Sequence, residues 1–358
     1  MADDTALRID GLRYAPRPGM RLLDGLTLEV AAGEWLSLLA ASGAGATSLL
    51  RLAAGELRPE AGRVAAPGAL LVAPLRGGLP WESVTQRLVQ PLRKRGMPQA
   101  EREALVAGTL DVLRLRHVAE QPPATLSEAE EQRCAIAAAL LAEAPLLLLD
   151  DPFSAQDPAG RAALLDLLRE RQQGRGFAVL HVTRDAAEAM AVADRLAILD
   201  RGRILQVGPP EAVFDMPGSA AAARLTGAAN LLAGQVEEAE DEEGLTMVKL
   251  EAGPFLAGRA VRPLRRGARV WLLVRPEHVA VAAMAADALG DGAIGARVLS
   301  VRPQGARMML RLALGDGTVM EVLRPRGFGA PPKPGSPCAL AWPPQAARVL
   351  LQDLDPKA

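Results

Sequence analysis

The residues with the clearest chemical potential form a run of small side chains, AASGAGATS, at positions 40–48. A phosphate-binding loop follows the pattern G-x-x-x-x-G-K-[S/T], in which glycines let backbone N–H groups approach phosphate oxygens. Gly43 and Gly45 fit this pattern, whereas Ala40 replaces the first glycine and Ala46 replaces the lysine. The pattern predicts a phosphate-binding loop that lacks its cation. The candidate phosphate contacts are Ser42, Gly43, Ala44, Gly45, Ala46, Thr47 and Ser48.

Two carboxylates stand where a second part of such a site is expected. Residues 146–149 form a continuous apolar run, typical of a buried parallel strand, and Asp150 and Asp151 follow it directly. In phosphate sites of this kind a hydroxyl after the loop holds Mg²⁺, and a carboxylate orients one of its waters. Thr47 and Asp150 are therefore the predicted magnesium residues.

The elements that must position these residues alternate between short apolar runs and helical patterns. This alternation predicts an α/β domain over residues 1–217. The predicted strands are 34–39, 146–149, 177–182 and 196–199, and the predicted helices are 47–57, 81–115 with a break at 96–98, and 127–142.

The rest of the chain has a different character. Residues 218–230 are small and alanine-rich, which predicts a linker, and residues 231–358 carry short alternating runs typical of a small all-β barrel. The apolar runs lie at 235–250, 269–281, 295–301, 307–314 and 319–323. The acidic run 237–243 allows a disordered tether or a solvated hairpin tip, and we favour the hairpin tip.

Composition excludes several classes of protein. The 358 residues are 49% hydrophobic but 3% aromatic, which indicates a large aliphatic core, and the net charge of −1 offers no general attraction for nucleic acid. Cys134 and Cys338 lie far apart and predict buried thiols rather than a disulfide. Residues 1–5, MADDT, predict no signal peptide, and the apolar stretch 134–149 is too short and interrupted to span a bilayer.

Further motifs occur in a fixed order along the chain. They are LSEAEEQR at 126–133, LLLLDDPFSAQD at 146–157, VTRD at 182–185 with ADR at 193–195, GRILQVG at 202–208, and VRPEHV at 274–279. The first four resemble the signature, the Walker B motif with its D-loop, the switch segment and the closing segment of ABC-type ATPases. The last is similar to the core of the TOBE module of importer ATPases. The chain as a whole resembles ATP-binding subunits of ABC importers for polyamines, ferric iron, sugars and similar solutes.

The resemblance implies a P-loop NTPase domain of α/β type, followed by a small all-β, OB-like TOBE domain. It implies ATP and Mg²⁺ as cofactors, bound where the loop of one subunit faces the signature helix of another. Ser127 would then contact the nucleotide of the partner subunit, and Tyr14, the one tyrosine of the chain, would stack on adenine. For Tyr14 a half-buried strand aromatic is an equally good interpretation.

The same resemblance implies the partners and the location. The partners would be membrane permease subunits, a second ATPase subunit in a homodimer or heterodimer, and a periplasmic or extracellular solute-binding protein. Nucleic acid would not be among them. The chain would be cytoplasmic and peripheral, on the inner face of the cell membrane.

Five departures from the family pattern bear on catalysis. Ala46 replaces the loop lysine, Pro74 the Q-loop glutamine, residues 128–129 the signature glycine pair, Asp151 the general-base glutamate, and Arg184 the switch histidine. Glutamate at 128 aims negative charge at a polyanion, and Asp151 falls one methylene short of the attacking water. An error of about 1 Å in such a geometry costs on the order of 100-fold in rate.

Asp151 and Arg184 remain the candidate catalytic residues, although a metal-associated or structural role fits Asp151 equally well. His181 is predicted to be a core histidine rather than a displaced switch residue. These substitutions predict an importer ATP-binding subunit with weak or lost ATP hydrolysis. One alternative is a scaffold or regulatory module that binds a permease or an active ATPase subunit without turnover. A further alternative is a sensor of small anions or solutes in the C-terminal barrel.

Overall fold

A computed structural model describes residues 5–75, 79–251, 253–283, 292–327, 329–330 and 332–352. The chain divides into two compact units, Met1–Pro210 and Glu211–Ala358, so the division falls slightly before the predicted boundary at 217. The prediction of no signal peptide rests on residues 1–5, and residues 1–4 lie outside the described residues. Within the described residues, no helix combines the length and apolar character that crossing a membrane requires.

The first unit contains the predicted alternation of strands and helices. Its strands are β1 Thr5–Tyr14, β2 Leu23–Ala31, β3 Trp35–Ala40, β4 Ala61–Ala65, β5 Ala69–Leu71, β6 Leu146–Asp150, β7 Ala178–Thr183, β8 Arg195–Asp200 and β9 Arg203–Gly208. Its helices are α1 Ala46–Ala53, α2 Val84–Lys94, α3 Gln99–Val112, α4 Glu128–Ala142, α5 Pro158–Arg175 and α6 Ala186–Val192. Short 3₁₀ turns lie at Arg116–Val118 and Pro123–Thr125.

A six-stranded sheet in the order β5-β6-β7-β3-β8-β9 forms the centre of this unit. Neighbouring strands are parallel except for the last pair, β8 and β9. Every residue of β3 and β7 is buried, because helices and a second sheet leave neither face of these strands in water. The carboxyl ends of β3, β6 and β7 meet at one edge, where the loop at 40–48 and the two carboxylates follow them. The α/β prediction is confirmed.

The helix boundaries follow local chemistry. Helix α1 ends at Ala53, before the predicted 57, because Gly55 adopts φ 75° and stops the helix. The break predicted at 96–98 is confirmed between α2 and α3, with Gly96 at φ 73°. A three-stranded antiparallel sheet, β2-β1-β4, was not predicted. Its apolar side packs in the same core cluster as the apolar residues of α1.

The second unit is all-β apart from two short helices. Its helices are α7 Pro210–Asp215 and α8 Ala220–Thr226, and its strands are β10 Asn230–Glu238, β11 Thr246–Leu250, β12 Phe255–Ala260, β13 Arg269–Val274, β14 Ala280–Ala283, β15 Ile294–Gln304, β16 Arg307–Leu314, β17 Val319–Pro325, β18 Pro337–Ala341 and β19 Ala347–Leu351. Short 3₁₀ turns lie at Pro276–His278 and Pro344–Ala346.

The predicted small barrel is present but is accompanied by a second sheet. Strands β10, β11, β12, β19 and β13 close into a barrel, and β14, β18, β15, β16 and β17 form a separate five-stranded sheet. Both contribute to one apolar core, which joins barrel residues such as Val248 to sheet residues such as Leu310. The sequence predicted one barrel because alternation marks strands without showing how they group.

Helix α8 occupies most of the predicted linker at 218–230. Ser219 caps the helix by accepting a hydrogen bond from the Ala222 N–H. Ala222 and Ala223 are fully buried, and Ala223 packs with Leu273 of β13. Alanine favours helix, and its small side chain lets the helix approach the barrel closely. The alanine-rich composition thus reflects packing rather than flexibility.

Two smaller predictions are confirmed in the described residues. The acidic run connects the antiparallel strands β10 and β11, so it is a hairpin tip, and the Asp241 carboxylate accepts from the N–H groups of Glu243 and Leu245. Cys134 and Cys338 are free, buried thiols. Burial raises the pKa of Cys134 to about 12, so this thiol is unreactive near neutral pH.

Candidate functional site

The loop at 40–48 has the backbone of a phosphate-binding loop. Gly43 and Gly45 adopt φ 79° and 99°, and a Cβ on Gly45 would stand 2.7 Å from a side-chain carbon of Leu23. Glycine is therefore required at 45 by both backbone and space. Among the described residues, no backbone carbonyl accepts from the N–H groups of Gly45, Ala46 or Thr47. These free donors at the start of α1 are suited to phosphate oxygens.

A pocket of about 280 Å³ opens over this loop. Its lining residues are Leu22, Ala40, Ala41, Ser42, Gly43, Ala44, Gly45, Ala46, Thr47, Ser48, Asp150, Asp151, Val182, Thr183 and Arg184. The structure thus brings together the seven predicted loop residues, both carboxylates and the predicted switch residue. Tyr14 and Ser127 do not line the pocket.

The two candidate catalytic residues, Asp151 and Arg184, contact each other. The Arg184 guanidinium lies 3.2 Å from a carboxylate oxygen of Asp151, and the two side chains are 65% and 32% exposed. Asp151 adopts φ 47°, a left-handed conformation that aspartate tolerates better than most residues, and its N–H donates to the Val182 carbonyl. The carboxylate at the general-base position therefore faces a cation.

The charge balance of the pocket is unfavourable to a polyanion. Of the side chains that line it, Arg184 is cationic, whereas Asp150 and Asp151 are anionic. Ala46 occupies the first position of α1, where the loop pattern places lysine. Arg51, one turn further along α1, lies 3.9 Å from Glu56 and does not line the pocket. It therefore does not replace the missing lysine.

The two residues predicted to bind magnesium would supply only part of its ligands, and water and substrate phosphates would supply the rest. The Thr47 hydroxyl and the Asp150 carboxylate both line the pocket, one from α1 and one from the end of β6. In the described part of the chain, no cluster of three or more metal-ligating side chains occurs. Magnesium keeps several waters and is commonly held by few protein oxygens together with substrate phosphates. The two residues fit that role.

His181 is a core residue, as predicted. Its side chain is fully buried, with Nδ1 3.3 Å from the Ser37 hydroxyl and Nε2 3.1 Å from a Glu188 carboxylate oxygen. The ring also meets Trp35 and Phe153 edge-on. It tethers β7 to β3 and α6, below the pocket rather than in it.

The hydroxyl of Ser127 is already engaged by its own helix. Ser127 and Glu130 form a capping box: the Glu130 N–H donates to Ser127 Oγ, and the Ser127 backbone N–H and hydroxyl donate to the Glu130 carboxylate. The bond from the Ser127 hydroxyl lowers the pKa of Glu130 to about 2, with further help from its N–H and from His117. Three glutamates, at 128, 130 and 131, occupy the first turn of α4.

Side-chain hydrogen bonds that the sequence did not predict link the signature helix α4 to the loop after β6. The Gln156 amide donates to the Ala129 carbonyl at 2.8 Å, and Arg133 donates to Gln156 at 2.8 Å. Gln132 binds both the Ser154 hydroxyl and the Ala155 N–H. In the motif LLLLDDPFSAQD, Gln156 stands where the ABC-type ATPases that it resembles usually have leucine, and this departure was the signal that could have revealed the link.

Pro74, Leu79 and Trp81 are at the surface. Pro74 is exposed and does not line the pocket. Leu79 and Trp81 expose 48% and 72% of their surfaces. Arg87 anchors this segment by donating to the carbonyls of Leu75 and Leu79, both at 3.1 Å.

Tyr14 lies at the end of β1, half-buried against the core that also contains α1. Its carbonyl accepts from the N–H of Leu22, which does line the pocket. This placement agrees with a strand aromatic near the pocket rim. The adenine contact stays a prediction.

Comparison with known proteins agrees with the fold. The family model for ABC transporters matches residues 23–154, and the model for the TOBE domain matches residues 272–350. The chain therefore belongs to the ABC transporter ATPases, and within them to importer ATP-binding subunits that carry a TOBE domain.

The chain is similar to several proteins that share one name. It is 30% identical over 355 residues to the spermidine/putrescine import ATP-binding protein PotA 1 of Pseudomonas aeruginosa, covering 94% of each chain. It is 32% identical over 351 residues to PotA of Methylococcus capsulatus, covering 92% of this chain and 89% of the relative. A solved structure, cbiO1 from Clostridium perfringens, part of the ABC transporter complex cbiONQ, is 25% identical with a TM-score of 0.53. That match covers 59% of this chain and 91% of the other.

Proposed function

We propose that this chain is the ATP-binding subunit of a polyamine importer whose site binds Mg-ATP weakly and hydrolyses it very slowly. Membership of the importer ATPase family supports the role of ATP-binding subunit, and the spermidine/putrescine relatives support polyamines as the solutes. The departures in the pocket support weak binding and slow hydrolysis. The solute-binding protein and the permease would come from the same import system, at the inner face of the membrane.

The contact between Arg184 and Asp151 is the main observation in support of slow hydrolysis. A general base must present a free carboxylate to water, within hydrogen-bond reach of the proton it takes. In this pocket the carboxylate is paired at 3.2 Å with a permanent cation. Its shorter side chain adds to the loss, so efficient water activation is not expected.

The loop retains enough for binding but has lost its strongest contact. The free backbone N–H groups of Gly45, Ala46 and Thr47 would hold the phosphates. Thr47 and Asp150 would hold Mg²⁺, which supplies positive charge to the phosphates. The missing charged contact at Ala46 costs on the order of 2–5 kcal/mol, which is roughly 30- to several-thousand-fold in affinity. Any contact of Arg184 with phosphate would compete with its pairing to Asp151.

A scaffold or regulatory module is the second candidate, and the start of α4 favours it. The Ser127 hydroxyl serves its own helix cap, and three glutamates crowd the turn that would face the nucleotide of a partner subunit. Like charges repel there, whereas the same carboxylates stabilise a helix start when no anion is present. In this version the chain binds a permease or an active ATPase subunit without turnover.

For the permease contact, we propose the exposed segment that contains Leu79 and Trp81. Large exposed apolar side chains are a common mark of protein interfaces. The anchoring bonds from Arg87 hold this segment against α2 and so limit the ordering cost of docking.

The test combines two measurements on the full chain. Calorimetric titration with Mg-ATP should show weak, saturable binding, and tight binding together with steady phosphate release would overturn the proposal. Co-purification with co-expressed permease subunits of a spermidine/putrescine importer should fail for Trp81→Ala and persist for Trp271→Ala, a half-buried control in the other unit. Equal recovery of both variants would reject the docking segment.

A further inference from the structure

A second cavity lies at the opposite edge of the central sheet from the phosphate loop. Its lining includes residues just before three parallel strands: Gly33 before β3, Pro145 before β6 and Phe177 before β7. The phosphate pocket instead takes residues from the carboxyl ends of the same strands. A strand of five or six residues rises about 3.3 Å per residue, so roughly 20 Å of sheet separates the two sites.

This cavity has the size and character of a small-molecule site. Its volume is about 780 Å³, within the usual range for ligand pockets. Its walls are mostly apolar and include Ala139, Leu140, Leu147 and Phe177. The mostly apolar wall fits an aliphatic group rather than a nucleotide.

A smaller crevice of about 270 Å³ adjoins it between α3 and α5 and shares two of its lining residues. Leu105, Val112 and Leu113 line this crevice on the α3 side. Leu140 and Arg175 line both cavities, so Arg175 stands where the two meet.

Two arginines bring uncompensated positive charge to that junction. Arg171 and Arg175 lie four residues apart on α5 and therefore project from the same face. Neither makes an ion pair with any residue of the described ranges; Arg175 donates to the neutral carbonyl of Leu140 at 2.8 Å. Glu143, the carboxylate in the lining, is paired with Arg95 at 2.5 Å.

Other arginines on the same helix behave differently. Arg161 lies 2.7 Å from the Asp185 carboxylate, and Arg169 donates to Asp194 at 3.1 Å. Carboxylates thus neutralise Arg161 and Arg169, whereas the other two arginines have no ion-pair partner among the described residues and lie next to an apolar cavity. Like charges one turn apart repel each other, and a bound anion would relieve that repulsion.

We propose that this double cavity binds a soluble amphipathic carboxylate, with its head between Arg171 and Arg175 and its aliphatic tail in the larger cavity. Guanidinium groups bind carboxylates through paired, charge-assisted hydrogen bonds. The apolar wall removes the tail from water. The site stands independently of the nucleotide pocket and of the function proposed above.

Calorimetric titration of the full chain with decanoate tests this site. Acetate supplies the head without the tail, and decylamine supplies the tail with the opposite charge. The expected result is saturable binding of one decanoate per chain and no binding of the other two. Equal binding of decylamine would show that the arginines are irrelevant, and absence of decanoate binding would overturn the site.

Variants locate the ligand. Arg171→Gln and Arg175→Gln should each weaken decanoate binding by about tenfold or more, whereas Arg93→Gln, an exposed arginine on α2, should not. Val112→Asp, at a position 44% exposed, places a carboxylate beside the arginines and should abolish binding without disturbing the fold. Thermal unfolding of each variant checks folding, and decanoate affinity that none of them changes would contradict the proposal.

Anionic vesicles distinguish a membrane surface from a free ligand. Phosphatidylglycerol vesicles should not sediment the chain more than neutral vesicles do. Sedimentation that depends on Arg171 and Arg175, without binding of free decanoate, would replace the proposed ligand with a membrane.

Discussion

At the scale of single residues, the proposed loss of hydrolysis rests on Ala46, Asp151 and Arg184. Ala46 leaves the phosphate loop with backbone donors but no cation. Asp151 and Arg184 then satisfy each other at 3.2 Å instead of presenting a base and a hydrogen-bond acceptor to nucleotide and water. These are local changes in an intact pocket, so each can be tested by one substitution.

Ala46→Lys should raise the affinity for Mg-ATP. The lysine restores a buried charged contact of on the order of 2–5 kcal/mol, which corresponds to at least roughly 30-fold tighter binding. Calorimetry on the variant measures the change, with Ala46→Gln as a control of similar length without charge. Unchanged affinity of the lysine variant would show that the loop no longer accepts phosphate.

Asp151→Asn should also tighten nucleotide binding, but by less. The substitution removes one negative charge from the pocket and frees Arg184 for phosphate. Because both side chains are partly exposed, the effect is about 1 kcal/mol or less, up to roughly fivefold. The gain should disappear in Asp151→Asn combined with Arg184→Gln, and a gain that persists in the double variant would assign the effect to another group.

At the scale of elements, the start of helix α4 is stabilised by charge. The folded pKa of Glu130 is about 2, against an ordinary value of 4.5. A lowered pKa stabilises the fold above the ordinary value, and the contribution is lost as pH falls from about 4.5 towards 2. We expect Glu130→Gln to flatten the decline in stability over this window, measured by urea unfolding at several pH values. An unchanged pH profile would refute the role of this carboxylate.

Ser127→Ala separates the helix cap from any contact with nucleotide. Loss of the cap should cost about 1 kcal/mol in the free energy of unfolding. Because the hydroxyl already bonds to Glu130 at 2.6 Å, Mg-ATP affinity and turnover should not change. A loss of nucleotide affinity at unchanged stability would instead give the hydroxyl the family role.

Arg275 fixes the two short helices of the second unit to its strands. The side chain is 4% exposed, donates to the carbonyls of Phe214, Ala223 and Ala228, and lies 4.2 Å from the Phe214 ring centroid. Burial lowers its pKa. Arg275→Leu leaves several buried acceptors without a donor and should cost on the order of 3 kcal/mol in unfolding free energy.

Arg266→Leu is the matched control for that experiment. Arg266 is 76% exposed and pairs with Glu237 at the surface, so its loss should change stability by about 0.5 kcal/mol or less. Similar destabilisation by both variants would mean that the bonds of Arg275 contribute little.

At the scale of the whole molecule, the sequence predicted the α/β class, the loop, both carboxylates and the all-β second unit. Motif spacing and hydrophobic periodicity carry that information because both depend on residues that are close together in the sequence. It did not predict the contact of Asp151 with Arg184, since that contact depends on how β6 and β7 align. The amide link through Gln156 was missed for the same reason, and α8 was missed because alanine-rich composition marks linkers and packed helices alike.

The central claim is that a correctly built nucleotide site has lost efficient hydrolysis. Phosphate release by the full chain with its co-purified permease tests it most directly. The comparison is with a variant that combines Ala46→Lys, Pro74→Gln, Glu128→Gly, Ala129→Gly, Asp151→Glu and Arg184→His. We expect phosphate release by the unaltered chain to be very slow at most, and the restored variant to show measurable turnover. Robust phosphate release by the natural chain would contradict it.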